Sequence, residues 1–145
     1  MNPYLNIPLT LTQSEREDDF ACVMVPVETA IRQFIDLLVS TRQGECTHNT
    51  DFGYSLWSNE FEPILNVMEW QPVFMEQIKD LLEKYEPRIT AIQVWEPEIT
   101  SIRRSDSQGM QTVRTDKNYK ITIRLDYTIR QTGERQNDVR VTFEY

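Results

Sequence analysis

The sequence is poor in the residues from which catalytic and metal centres are usually built: one histidine, His48, and two cysteines, Cys22 and Cys46, in 145 residues. With one histidine and no nucleophile–histidine–acid set, triad chemistry has nothing to work with. The two cysteines read as free thiols rather than a disulfide framework. Cys46, His48 and Asp51 share one polar loop, but three mixed ligands in one loop are no standard zinc pattern. No metal and no other cofactor is expected. No apolar segment approaches the roughly 20 residues that cross a bilayer. Nor does the N-terminus combine a basic start, an apolar run and a small-residue cleavage site. A cytoplasmic protein without a membrane span is the expectation. Basic residues are scarce over most of the chain. Residues 1–100 carry 17 acidic and 6 basic side chains, against 6 and 9 in residues 101–145. That balance argues against general nucleic-acid binding, which needs a basic face. It suits a protein that meets different partners on its two sides; two solvated faces of opposite bias give the same split.

What is present describes a globular chain. Apolar and aromatic residues are plentiful enough for a core, and the length suits one domain. Residues 1–25 carry Pro3, Pro8 and the cluster Glu15-Arg16-Glu17-Asp18-Asp19, and read as an extended N-terminal arm. From Pro26 the pattern is helical, with Val27, Ala30, Ile31, Phe34 and Leu38 on one stripe. Thr41 to Gly44 stops that helix. A polar loop follows, Gly44 to Gly53, whose Asp51-Phe52-Gly53 reads as a tight turn with Phe52 packed inward. The same tripeptide occurs in kinase metal loops, but the chain has no glycine-rich loop and no catalytic-loop motif. Trp57, Phe61, Trp70 and Trp95 read as core residues, an interface anchor among them being the alternative.

Gln71-Pro72 opens a second helix, along which Phe74, Ile78, Leu81, Leu82 and Tyr85 recur. Glu86-Pro87-Arg88 ends it, because proline biases the residue before it away from helix. An acid and a guanidinium flanking a rigid residue form either a local clamp or a docking device. Ile89 to Trp95 reads as a strand, disturbed at Pro97 and resumed through Ile99 and Ile102. Ser105 to Gly109 is a turn. Ile121, Ile123, Leu125, Tyr127 and Ile129 alternate with polar residues as a half-buried strand, and a hairpin loop at Gln131 to Asn137 leads to a last strand. The expected fold is α+β, with two main helices on one face of a small antiparallel sheet of about three strands. The last strand, with Val139, Arg140, Val141, Thr142 and Phe143, lies at an edge that can recruit a partner's strand.

Leu37-Leu38, Thr41, Gly44-Glu45, Asp51-Phe52-Gly53 and Tyr85-Glu86-Pro87-Arg88-Ile89, in that order and spacing, resemble the gene-25-like baseplate wedge family of phages. The type VI secretion members of that family are the TssE-like baseplate subunits. The resemblance runs from about Pro26 to the C-terminus, giving a domain at residues 26–145. It departs at Cys46, where the family commonly carries arginine. It implies a structural part in a hetero-oligomeric contractile injection machine, contacting baseplate wedge proteins and templating the first sheath subunits. It also implies that Glu86, Pro87 and Arg88 are the wedge-docking motif, and that the sheet joins sheath subunits by strand exchange. The family's lysozyme-like label raises a hydrolase alternative, which needs two carboxyls flanking one bond. Glu60, Glu62, Glu86, Glu96 and Glu98 are available, but nothing pairs an acid with a base. Glu86, beside arginine, is the least suitable of them. A stand-alone adaptor binding a peptide by strand addition is the remaining alternative.

Overall fold

The computed structural model of the chain describes residues 4–9, 11–13, 20–54, 67–102 and 118–144. The arm read as simple extended chain forms two short antiparallel pairings. β1 (Tyr4–Leu5) pairs with β4 (Met24–Val25), and β2 (Leu11–Gln13) with β3 (Phe20–Cys22). Pro26, with φ at −65°, then leads into α1 (Val27–Ser40). This helix turns Val27, Ala30, Ile31, Ile35, Leu38 and Val39 inward, leaving Phe34 half-buried and Leu37 exposed. Thr41 closes it: both its N–H and its hydroxyl donate to the Leu37 carbonyl, at 3.0 and 2.6 Å.

α2 (Val67–Tyr85) starts ahead of Gln71-Pro72, the expected opening, and carries Pro72 within it. So near the N-terminus the proline forfeits only one backbone bond, which the helix tolerates. Phe74, Ile78 and Leu82, each four residues apart, form its buried stripe. Among the described residues no helix is long and apolar enough to cross a membrane.

The main sheet is larger than the expected three strands. β5 (Ile89–Val94), β6 (Glu98–Ile102), β7 (Asn118–Ile129) and β8 (Arg135–Glu144) make a four-stranded antiparallel sheet. β7 is its centre, with β8 along one side. The other side is divided: β6 pairs with the first half of β7, from Asn118 to Thr122, and β5 with the second, from Leu125 to Ile129. Ile89 to Ile102 is therefore two strands, not one interrupted strand. Pro97 falls in the break, where a ladder cannot continue through a residue without an N–H. With the two arm pairings added, the fold is a β-rich α+β arrangement.

Both flanks of β7 bulge at the same level. On β5, Ala91 (φ +51°) sits in a register shift between Thr90 and Gln93. On β8, Asp138 (φ +55°) sits opposite Asp126 in another. The first bulge resets the pleat, so that Ile89, Ile92 and Val94 all face the core despite their uneven spacing. At the second, the Asp138 N–H donates to Asp126 Oδ1 at 2.9 Å, and Trp95 Nε1 donates to Oδ2 at 3.0 Å. These donors, the Asp138 amide first, hold the Asp126 carboxyl below its ordinary pKa. Trp95, expected in the core, is thus an exposed residue on the outer sheet face.

One core joins the layers. Ile121, Ile123, Leu125, Tyr127 and Ile129 of β7 face inward with Val141 and Phe143 of β8. The Phe143 ring stacks 6.5 Å from Phe74, which meets Tyr54 edge-on at 5.3 Å. Burial pushes the Tyr127 hydroxyl up to about 12.

Candidate functional site

The helix α2 gives way to β5 over three residues. The Glu86 N–H still donates to the Leu82 carbonyl at 2.9 Å, Pro87 then turns the chain, and Ile89 begins the strand. Glu86 is 1% exposed, the one buried charged side chain among the described residues. An isolated buried carboxylate is costly, so its partner decides whether it is tolerated. That partner is Arg88. Its Nε donates to Glu86 Oε1 at 2.7 Å, its Nη2 to Oε2 at 2.5 Å, and its backbone N–H to Oε1 at 3.2 Å. The two side-chain bonds form a bidentate fork, the strongest geometry available to this pair. The bond to Glu86 raises the pKa of the guanidinium above its ordinary value.

The rest of the guanidinium is held by rings. Its carbon lies 5.2 Å from the Tyr4 ring centroid and 5.9 Å from that of Phe34, within cation–π range. The Arg88 side chain keeps 28% of its surface exposed. Arg130 ties the corner to the sheet: its N–H donates to the Arg88 carbonyl at 2.8 Å and its Nε to the Ile89 carbonyl at 3.2 Å.

The loop after α1 reaches the same corner. Gly44 (φ +88°) donates its N–H to the Thr50 carbonyl at 2.8 Å, and Tyr54 N–H donates to the Thr41 carbonyl at 2.8 Å, closing the loop on itself. Asp51 is exposed, while Phe52 sits edge-on between Phe34 at 6.0 Å and Tyr85 at 5.3 Å. Gly53 has φ +101°, and a Cβ there would lie 2.5 Å from the Thr41 carbonyl oxygen. The structure therefore gathers Glu86, Arg88 and Phe52 around Phe34. Sequence reasoning did not find Phe34 or Tyr4 as neighbours of Arg88. The half-buried margin of the α1 stripe was a signal for Phe34, and none marked Tyr4.

The β8 residues lie on another surface. Val141 and Phe143 are buried and Val139 half-buried, while Arg140 and Thr142 face out. Thr142 exchanges a hydroxyl hydrogen bond with Thr122 at 3.1 Å. β7 is the one strand that pairs with β8 among the described residues. Of the carboxyls weighed for hydrolysis, Glu86 is committed to Arg88, and Glu96 and Glu98 are exposed. Glu60 and Glu62 lie outside the described residues, as do Trp57, the side chains of Phe61 and Trp70, and the turn at Ser105 to Gly109. Cys22 and Cys46 are both free, and among the described residues no group of acidic, histidine and cysteine side chains is arranged to hold a metal.

The profile of the family described as baseplate wedge protein gp25 matches residues 26–134. A crystal structure described as a candidate tail lysozyme from Geobacter sulfurreducens aligns with a TM-score of 0.55 at 21% identity, covering 86% of this chain and 95% of that one. A likeness at that identity shows the fold alone. No curated protein matches the sequence.

Proposed function

The chain belongs to the baseplate wedge protein gp25 family, a structural family of phage-tail-like baseplates, and from that membership we propose how it works. It docks on wedge subunits through the Glu86-Pro87-Arg88 corner and starts sheath assembly along β8, inside the cytoplasm, in a type VI secretion system or a related contractile machine. The observation that carries this reading is the Arg88 fork. Glu86 takes one edge of a planar guanidinium, Tyr4 and Phe34 hold its position, and 28% of the side chain stays exposed. A surface arginine is ordinarily a floppy side chain whose ordering opposes binding. Here much of the ordering is already in place, so an acceptor on a wedge subunit meets a guanidinium held in position.

Catalysis has no comparable support. A glycosidase acid needs a carboxyl that keeps its proton near neutral pH. Glu86, the buried candidate, has both carboxyl oxygens engaged by Arg88 and neither turned to a substrate. The purified chain should bind wedge subunits from its own machine and leave peptidoglycan intact. Turnover abolished by a single Glu→Gln substitution would overturn the structural reading.

The β8 half of the proposal has its own test. Thr142→Pro takes an N–H out of the edge strand and should stop sheath subunits from adding to assembled baseplates. Because proline can also loosen the strand, the thermal melt of the same variant is the control. A variant that folds normally and still nucleates sheath at the wild-type rate contradicts strand addition at β8.

A further inference from the structure

Beside the corner lies an open groove of about 490 Å³ between the N-terminal arm and α1. Its walls are mostly apolar, with Leu5, Ile7 and Leu9 from the arm and Ala30 and Phe34 from the helix, and Arg88 also lines it. Leu5 is 51% exposed and Leu9 61% exposed, on a chain whose first hundred residues are otherwise strongly acidic. Apolar side chains grouped in the open around a cavity mark interaction sites more often than isolated ones do.

The arm is fastened in this position. Ile7 N–H donates to Gln33 Oε1 at 3.0 Å, Gln33 Nε2 donates to Asn6 Oδ1 at 2.5 Å, and Asn6 N–H reaches the Val23 carbonyl at 3.0 Å. At its start, the Tyr4 hydroxyl donates to Gln131 Oε1 at 3.2 Å while the ring covers Arg88. The wall of the groove and the guanidinium that lines it are thus positioned by the same segment.

We propose that this groove seats an apolar side chain of the wedge partner, placed beside a carboxylate that meets the exposed part of the Arg88 side chain. The inference rests on the docking reading above and adds what the partner must present. The charge pattern selects the occupant. Arg88 is the one charged residue in the groove lining and keeps 28% of its side chain exposed, whereas its partner Glu86 is 1% exposed. An acidic residue on the partner is attracted there, and a basic one is repelled. An apolar side chain alongside it fills the groove, the usual arrangement of a buried anchor within a polar rim.

The test titrates purified wedge subunits against the full chain and its variants. Leu9→Asp changes an exposed residue, so folding should be unaffected, and the melt checks this. It should weaken wedge binding by about tenfold or more, while Leu9→Met stays within about twofold. Arg88→Lys, measured alongside, separates the two ideas. If Arg88→Lys weakens binding and Leu9→Asp does not, the groove inference is overturned and corner docking stands. If Leu9→Asp weakens binding and Arg88→Lys does not, the groove holds and the Arg88 contact is rejected. If neither matters, both fall. Sedimentation completes the set: a self-association of the wild type that Leu9→Asp dissolves would make a second copy of this chain the occupant and overturn the proposal.

Discussion

Gly53→Ala is expected to destabilise the chain by about 2–4 kcal/mol, among the larger effects of a single methyl group. Two costs add. Residue 53 has φ +101°, a region that L side chains rarely adopt, and the new Cβ would lie 2.5 Å from the Thr41 carbonyl oxygen. That oxygen cannot easily retreat, because it accepts the Tyr54 N–H that closes the loop. Moving it also disturbs Phe52, and with it the ring contacts to Phe34 and Tyr85. Gly44→Ala is the control. It shares the positive φ, at +88°, but nothing lies within 4 Å of its added Cβ, so only the backbone cost of about 1–2 kcal/mol applies. Denaturant unfolding of the two variants gives the difference directly. Equal losses would show that Thr41 does not impose the glycine.

The second large effect is on binding. Arg88→Lys keeps a positive charge opposite Glu86 but loses the planar fork, so one nitrogen must replace what Nε and Nη2 do together. Loss of a desolvated charged contact at an interface costs about 2–5 kcal/mol, which is tens- to thousands-fold in affinity. Stability falls as well, since Glu86 is left buried with a poorer partner. Because Arg88 is partly solvated, that loss should be about 1–2 kcal/mol, below the range for fully buried pairs. The corner is therefore a clamp in the isolated chain, and wedge docking through it is the part of the proposal that the binding measurement tests.

Some of this was legible in the residues. The strict alternation from Ile121 to Ile129 makes β7, and Pro87 after an apolar helical stripe ends α2 at Tyr85. Glu86 and Arg88 are neighbours by chain connectivity alone. The division of the sheet was harder to read. Pro97 marks a break, but only the register shows that the two pieces pair with different halves of one 12-residue strand. The bulge at Ala91 had a weak signal in the three-residue step from Ile89 to Ile92. Alanine itself gives no hint of a positive φ. Phe34 and Tyr4 are far from Arg88 in the chain, and no periodicity reports a contact that only the folded arm and helix bring about. Trp95 misled for a related reason: the bulge turns Ile92 and Val94 inward and leaves the indole outside, where Asp126 accepts its N–H.

The measurement that bears most directly on the docking reading is the wedge affinity of Arg88→Lys set against that of Glu86→Gln. Glu86 is 1% exposed and cannot itself touch a partner, so Glu86→Gln weakens the clamp while leaving the guanidinium in place. Both variants should lose comparable stability. If Arg88 contacts the wedge, Arg88→Lys should bind at least about tenfold more weakly than Glu86→Gln. If the two affinities fall together in step with stability, Arg88 is only a clamp and the docking account is wrong.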